Sequence, residues 1–186
     1  MAGQARFRVK KAIVSGGEIL HYGVFEEGSL EPGDRAVARI DWELRYLVMR
    51  LHTAGHILDY AVSRVHGEPP VTLSAFHGPG AYLEYRLSGE PRLGEIEGVA
   101  NRVVREDRPV RIYSVPPGRL GEVVYGAPNL GRLPPAREYR IVEIVGVNAM
   151  PCTGTHVRRT GEVGRIVLER AEPTGRGWKV YYGVEG

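Results

Sequence analysis

Two histidines, His52 and His56, lie four residues apart in the segment HTAGH. The surrounding residues 44–66 carry apolar side chains at helical spacing, so both imidazoles leave the same face of one predicted amphipathic helix, one turn apart. Trp42 precedes this pattern and Pro69–Pro70 closes it. Two imidazoles in this arrangement can hold one metal ion.

A second pair of ligand types lies far along the chain. Cys152 is the single cysteine, His156 follows it by four residues, and Pro151 fixes a turn just before them. With the two helical imidazoles they form the nitrogen and sulfur set that zinc binds tetrahedrally at about 2.0 to 2.3 Å. The predicted metal ligands are therefore His52, His56, Cys152 and His156. The residues alone leave open a second interpretation, in which the helical histidines are surface or core residues and Cys152 is a small buried apolar residue.

The motifs HTAGH and CTGTHV resemble the paired HxxxH and CxxxH zinc motifs of the alanyl-tRNA synthetase editing domain and of the free-standing AlaX family of alanyl-tRNA trans-editing proteins. Threonyl-tRNA synthetases carry a related domain. The resemblance runs from about Val9 onward and departs at Thr153, where the family usually has glycine. It also includes residues outside the two motifs: Ile40-Asp41-Trp42, Met49-Arg50, Asn101 and Thr160–Gly164. It implies a short-form member that starts too late to contain the fuller N-terminal barrel of longer relatives.

The resemblance implies zinc-dependent hydrolysis, in trans, of the ester that joins a wrong amino acid to tRNA(Ala). Serine is the main expected amino acid and glycine a further candidate, because a pocket sized for alanine cannot strongly reject either of them. Such an activated ester needs less help than an amide, so a metal ion that activates water or positions the substrate can suffice without a dedicated carboxylate. Position 53 holds threonine where a zinc peptidase HExxH motif has glutamate, which argues against a peptidase.

Four protein ligands fill a tetrahedron, whereas catalytic zinc keeps an open position. Either Cys152 or His156 does not bind the ion directly, or the ion accepts a further ligand, and the sequence does not choose. A non-catalytic tRNA-binding module with a structural zinc is therefore the alternative function. A metal-dependent hydrolase of small esters or amides is a third hypothesis, which needs neither RNA nor a basic surface.

Substrate contacts are expected from residues next to the metal ligands: Thr53, Gly154 and Thr155. The hydroxyls could meet a serine hydroxyl, and the glycine lets backbone amides approach a substrate. RNA contacts are expected from arginines close in sequence to the two motifs: Arg50, Arg158 and Arg159. Each set has a structural alternative, in which Thr53 bonds its own helix backbone and the arginines form a solvated face. The remaining histidines are interpreted as surface or structural residues: His21, His66 and His77.

The composition fits a protein with one sizeable core, since the chain has 186 residues of which 42% are hydrophobic and 25% charged. No apolar run approaches the roughly 18 to 20 residues of a membrane span, and the N-terminus has no apolar export segment. One cysteine allows no disulfide framework, so we expect a cytoplasmic protein. The net charge of +3 favours an anionic partner such as tRNA. The positive charge is almost wholly arginine, which also fits a heat-adapted or GC-rich source.

The order of elements predicts an α+β fold with a largely antiparallel sheet and helices on one face. Residues 1–42 are predicted to form a small N-terminal β module, a partial barrel whose third strand is residues 35–40. Residues 43–186 are predicted to form the zinc-containing aminoacyl-tRNA editing domain. A β-branched strand at residues 140–147 delivers the chain to the CTGTH turn, and closing strands follow at residues 156–158, 164–170 and 178–184.

Overall fold

A computed structural model of the protein describes residues 5–67, 69–127 and 130–186. Its internal contacts divide the chain into two units, Met1–Ile40 and Asp41–Gly186. Within the described residues the α-helices are α1 (Trp42–His66), α2 (Leu93–Arg105) and α3 (Leu120–Val123). The strands are β1 (Arg6–Ser15), β2 (Glu18–Glu27), β3 (Val71–Phe76), β4 (Tyr82–Arg86), β5 (Val110–Val115), β6 (Tyr139–Ile144), β7 (Asn148–Pro151), β8 (Arg165–Thr174) and β9 (Gly177–Glu185).

The first unit contains an antiparallel hairpin of β1 and β2. Ser15 pairs with Glu18, so the turn consists of Gly16 and Gly17 alone, with φ values of 60° and 85°. Glycine suits this turn because it enters the left-handed region without a steric penalty. The predicted third strand at residues 35–40 is wrong, because that segment pairs with no other described strand.

Helix α1 confirms the long amphipathic helix and begins two residues before the periodic pattern does. The Asp41 side chain caps its first turn by accepting from the Leu44 amide at 3.1 Å. Gly67, in the left-handed conformation with φ of 84°, ends it and donates its amide to the Ser63 carbonyl at 2.9 Å. One face of α1 enters the core through buried residues: Leu51, Ala54, Ile57, Leu58, Ala61 and Val62.

The second unit confirms the α+β class, because its sheets are antiparallel and its two long helices share one core with them. A four-stranded sheet has the order β3-β4-β9-β8, and a three-stranded sheet has the order β5-β6-β7. Helix α1 packs against α2, α2 contacts β8, and α1 contacts β9. In the described ranges, no helix is both long and apolar enough to cross a membrane.

The approach to the CTGTH segment differs from the sequence prediction. The single strand expected at residues 140–147 is a hairpin of β6 and β7, and Gly146 in its turn has φ of 72°. The strand expected at residues 156–158 is also wrong. Arg159 makes an isolated bridge to Pro109, and a 3-10 turn follows at Thr160–Val163. Strand β7 ends at Pro151, directly before Cys152.

Candidate metal centre and adjoining cavity

The middle of α1 positions the first two predicted ligands. His52 and His56 lie one turn apart, with ring centroids 5.3 Å from each other. His56 is buried with 5% of its surface exposed, whereas His52 is half-buried. The Nδ1 atom of His56 is buried and has no hydrogen-bond partner within the described residues. A buried imidazole nitrogen without a hydrogen bond is chemically suited to a metal ion.

The segment after β7 positions the other two predicted ligands. The Cys152 amide donates to the Arg140 carbonyl at 3.0 Å, which extends the β6–β7 pairing by one residue. The Gly154 amide in turn points at the Cys152 Sγ at 3.4 Å, and such a donor stabilises a thiolate. His156 follows with 5% exposure.

The two segments meet. The ligand atoms of His52, His56, Cys152 and His156 all lie within 4.8 Å of one another. The Cys152 Sγ is 3.4 Å from the Nε2 atoms of both His52 and His156. A tetrahedral zinc ion with bonds of 2.0 to 2.3 Å separates a nitrogen and a sulfur ligand by about 3.5 Å, so the residues fit zinc. The sequence-predicted set can therefore hold one ion.

The protonation states of the three predicted histidine ligands also suit metal binding. Burial lowers the pKa of His52 to about 3, and nearby His77 and Arg140 add to the effect. Burial likewise lowers the pKa values of His56 and His156 well below the ordinary value. The three imidazoles are therefore neutral near neutral pH, which is the form that binds metals. Burial raises the pKa of the Cys152 thiol, so without an ion it keeps its proton.

Thr53, one of the predicted substrate contacts, hydrogen-bonds both its own helix and a predicted metal ligand. Its side chain is fully buried, and its hydroxyl donates to the Met49 carbonyl at 2.9 Å. The same oxygen lies 3.1 Å from the His156 Nδ1, and because the hydroxyl proton is used on Met49, it accepts a hydrogen bond from the Nδ1–H group. His156 therefore presents Nε2, on the side of Cys152, as its free lone pair. Thr53 thus lies behind a candidate ligand and orients it, and its predicted contact with the substrate stays a prediction.

Thr53→Val is expected to weaken zinc binding about 10- to 100-fold, the usual effect of losing a hydrogen bond that orients a metal ligand. Valine keeps the shape and removes the hydroxyl that fixes His156. Thr53→Ser, which keeps the hydroxyl, is the matched control and should bind zinc like the wild type. Competition with a chromophoric chelator measures both affinities. Equal affinity of the valine variant and the wild type would contradict the role.

His77, which we interpreted from the sequence as a surface or structural residue, lies directly against the predicted ligands. Its ring stacks on His52 with centroids 4.1 Å apart, and its Nδ1 is 2.7 Å from the Tyr182 hydroxyl. That hydroxyl donates to the Leu51 carbonyl, so it accepts from His77. A Cβ at Gly55 would lie 2.7 Å from the His77 ring. The sequence signal was therefore Gly55, a glycine inside a helix, which indicates close approach of another group.

A cavity of about 220 Å³ adjoins the metal cluster. Its described lining includes His56 and His77. It also includes the two residues directly before Cys152, which are Met150 and Pro151. It also includes Asp59, one turn beyond His56 on α1. The described lining includes none of the three predicted substrate contacts, which are Thr53, Gly154 and Thr155. Gly154 instead packs against His52, because a Cβ there would overlap the imidazole ring.

Asp59 is a buried carboxylate with unusual titration. Burial raises its pKa to about 7, although hydrogen bonds from Tyr85 and Thr72 oppose the shift. From pH about 4 to about 7 the unfolded chain has released a proton that the folded protein retains. The free energy of unfolding therefore falls progressively across this window, because the carboxyl ionises readily only in the unfolded chain. Above pH 7 the full loss remains. Tyr85 does not titrate there, since its pKa is raised well above 10.

Asp59→Asn is expected to remove this pH-dependent loss. Relative to the wild type, the free energy of unfolding of the variant should rise by about 2 to 3 kcal/mol between pH 5 and pH 8. Denaturant unfolding of both metal-free proteins at the two pH values measures the change. A difference between the proteins that does not vary with pH would contradict the prediction.

The three predicted RNA contacts occupy different surroundings. Arg50 donates to the Val163 carbonyl at 2.9 Å and to the Glu185 carbonyl at 3.0 Å, so it ties chain segments together. Arg159 forms an ion pair with Asp107 at 2.6 Å. Arg158 is exposed, and its side chain makes no hydrogen bond or ion pair to the described part of the chain. Of the three, Arg158 is the one available for a phosphate.

Comparisons with known proteins bear on the same segments. Residues 139–184, which contain Cys152 and His156, match the family described as the threonyl and alanyl tRNA synthetase second additional domain. The chain is 35% identical over 171 residues to the alanyl-tRNA editing protein AlaX-M of Saccharolobus solfataricus, covering 91% of this chain and 72% of that protein. It is 32% identical over 151 residues to the alanyl-tRNA editing protein AlaX-M of Methanosarcina acetivorans, covering 79% of this chain and 61% of that protein. It is 38% identical over 172 residues to the alanine–tRNA ligase of Methanoregula boonei, covering 89% of this chain and 18% of the ligase.

Proposed function

The chain belongs to the alanyl-tRNA editing protein family, AlaX, and from this premise we propose that it hydrolyses mischarged tRNA(Ala), chiefly Ser-tRNA(Ala), acting in trans as a free-standing protein. The enzyme is an aminoacyl-tRNA deacylase, an ester hydrolase. The proposed editing domain is residues 43–186, preceded by the β module of residues 1–42. Glycine is a second proposed amino acid, since both are small. The proposed compartment is the cytoplasm, where charged tRNA is used.

The observation that carries the proposal is the pairing of a metal-ligand cluster with a small adjoining cavity. The four ligand atoms lie within 4.8 Å of one another, and His56 belongs both to this cluster and to the cavity wall. At about 220 Å³ the cavity is smaller than the roughly 300 to 1,000 Å³ of sites for drug-sized ligands. It suits a small aminoacyl group better than a large side chain.

The residues of the metal cluster and of the cavity wall have separate roles in the proposed hydrolysis. His52, His56, Cys152 and His156 would hold the ion, which when bound polarises an ester carbonyl and lowers the pKa of water. The His77 ring stacks on His52, and Met150 and Pro151 line the cavity beside Cys152. Thr53 occupies the place that glutamate has in a zinc peptidase and contacts His156, which supports an activated ester over an amide as substrate.

The proposal predicts release of serine from Ser-tRNA(Ala) and little release of alanine from Ala-tRNA(Ala). The purified, zinc-loaded full chain is incubated with each labelled aminoacyl-tRNA, and the free amino acid is measured over time. Hydrolysis of both at the same rate would contradict the selectivity. Inertness towards both would contradict the function.

A non-catalytic tRNA-binding module remains the second candidate, because the cluster offers four protein ligands and such a filled tetrahedron is typical of structural zinc. That function predicts binding of tRNA that weakens steeply with salt, without release of any amino acid. The deacylation assay combined with a salt titration of tRNA binding separates the two candidates.

A further inference from the structure

Asp59 places a carboxylate in the wall of the cavity beside the metal cluster. It follows His56 by three residues on α1, so both side chains leave the same face of the helix. The residue is buried with 8% of its surface exposed. Its two hydrogen bonds, from the Tyr85 hydroxyl at 2.9 Å and from the Thr72 hydroxyl at 3.2 Å, both go to Oδ1. The carboxylate is thus fixed in place through one of its two oxygens.

This carboxylate has no cationic partner in the part of the chain that the structure describes. Another buried carboxylate does have a cationic partner: Glu84 on β4 pairs with Arg176 at 2.8 Å. An ionised carboxylate buried without a counter-charge is unfavourable, and the raised pKa of Asp59 reflects this. Asp59 is also the single acidic residue of the described cavity lining. The protein therefore keeps, in the wall of this cavity, an acidic group whose ionised form is unfavourable without a counter-charge.

The neighbouring charges are positive. A divalent ion held by three neutral imidazoles and one thiolate carries a net charge of about +1. The Arg140 guanidinium, which donates to the Cys152 carbonyl at 2.5 Å, adds to this field. An aminoacyl ester brings an α-ammonium group on the carbon next to its carbonyl. Without a local carboxylate, this ammonium would be repelled from the site.

We propose that the Asp59 carboxylate binds the α-ammonium group of the aminoacyl moiety, and that it restricts the enzyme to esters whose amino group is unblocked. This inference rests on the proposed deacylase function and adds to it the class of ester accepted. Aminoacyl-tRNA has a free ammonium, whereas in peptidyl-tRNA the same nitrogen is an uncharged amide. The site would therefore edit aminoacyl-tRNA and spare peptidyl-tRNA, which it must not hydrolyse.

The test compares Ser-tRNA(Ala) with N-acetyl-Ser-tRNA(Ala), using zinc-loaded full chain as wild type and as Asp59→Asn. Asparagine keeps the volume and an oxygen that can accept from Tyr85 and Thr72. The wild type is expected to favour the free-amine substrate about 10- to 100-fold in kcat/KM, the range for a hydrogen-bonded charged group. Asp59→Asn should lose that factor on Ser-tRNA(Ala) and remain unchanged on the acetylated substrate. Glu84→Gln, which removes a buried carboxylate outside the described cavity lining, is the matched control and should keep the wild-type preference.

Binding provides a readout that is independent of turnover. Calorimetry with 3′-serylamino-3′-deoxyadenosine, a non-hydrolysable amide analogue, and with its N-acetyl derivative should show the same preference in Kd for the wild type and none for Asp59→Asn.

Each other outcome overturns the inference in a recognisable way. Equal hydrolysis of both substrates by the wild type would overturn it while the deacylase function stands, and this comparison decides even if Asp59→Asn fails to fold. Equal losses on both substrates in Asp59→Asn would assign Asp59 a structural role and also overturn the inference. A wild type inert towards both substrates would overturn the proposed function, and the inference with it.

Discussion

His52→Ala is expected to lose its bound zinc and its deacylase activity together. The His52 Nε2 lies 3.4 Å from the Cys152 Sγ at the centre of the cluster, so alanine leaves an ion with three protein ligands. Losing a hydrogen bond behind a ligand costs about 10- to 100-fold in metal affinity, and we expect the loss of a ligand itself to exceed about 100-fold. Elemental analysis of the dialysed protein and serine release from Ser-tRNA(Ala) measure the two effects on one sample.

The matched control for this substitution is His21→Ala, which removes an exposed histidine from β2. It should retain one zinc per chain and wild-type turnover. A His52→Ala protein that keeps its zinc would refute His52 as a ligand. One that loses its zinc but stays active would show that the ion is not needed for hydrolysis.

Gly154→Ala is expected to disrupt the site nearly as strongly as loss of a ligand, although it adds a single carbon. The new Cβ would overlap the Cε1 and Nδ1 atoms of His52. Either the imidazole or the turn that carries Cys152 must then move, and both belong to the same cluster. We expect zinc affinity and serine release to fall at least about 10-fold, since displacing a ligand by less than 1 Å is enough to spoil its geometry.

Gly98→Ala on α2 is the matched glycine control. No atom lies within 4 Å of a Cβ at Gly98, so alanine fits there without displacement. Replacing a helical glycine by alanine should raise the free energy of unfolding by about 1 kcal/mol and leave zinc affinity unchanged. If Gly154→Ala also bound zinc with wild-type affinity, the close approach of the turn to His52 would not matter for the site.

The residue types that gather at the metal centre could be predicted from the sequence because their chemistry is local. Helical periodicity places His52 and His56 on one face of α1, and the spacing of Cys152 and His156 matches a ligand pair. That these two pairs would meet came from the resemblance to a known family. The structure brings the four side chains together, and it adds that Thr53 turns His156 towards the others.

The errors in the fold have a common physical origin, because strand formation depends on a partner. Residues 35–40 follow a turn signal and are mostly apolar, as in a strand, but have no described strand to pair with. The run at residues 140–147 is apolar enough for one strand, yet Gly146 adopts a positive φ and the chain turns back as β7. Local propensity is therefore a weaker guide to strands than to helices.

His77 and Asp59 could not be assigned to the site from the sequence, because their positions depend on tertiary contacts. His77 follows β3 and reaches His52 across Gly55, which offers no side chain to block it. Asp59 is an acidic residue near the polar side of a helical pattern in sequence, but β3 and β4 supply the Thr72 and Tyr85 hydroxyls that hold it in the cavity wall. Both residues were brought to the metal cluster by the packing of α1 on the sheet.

The most direct test of the account is serine release from Ser-tRNA(Ala) by one preparation measured before chelation, after chelation, and after return of one equivalent of zinc. We predict that removal of the metal abolishes release and that zinc restores it in the wild type but not in His52→Ala. Full activity of the metal-free wild type would contradict the claim that hydrolysis depends on the metal centre built by α1 and the Cys152–His156 turn.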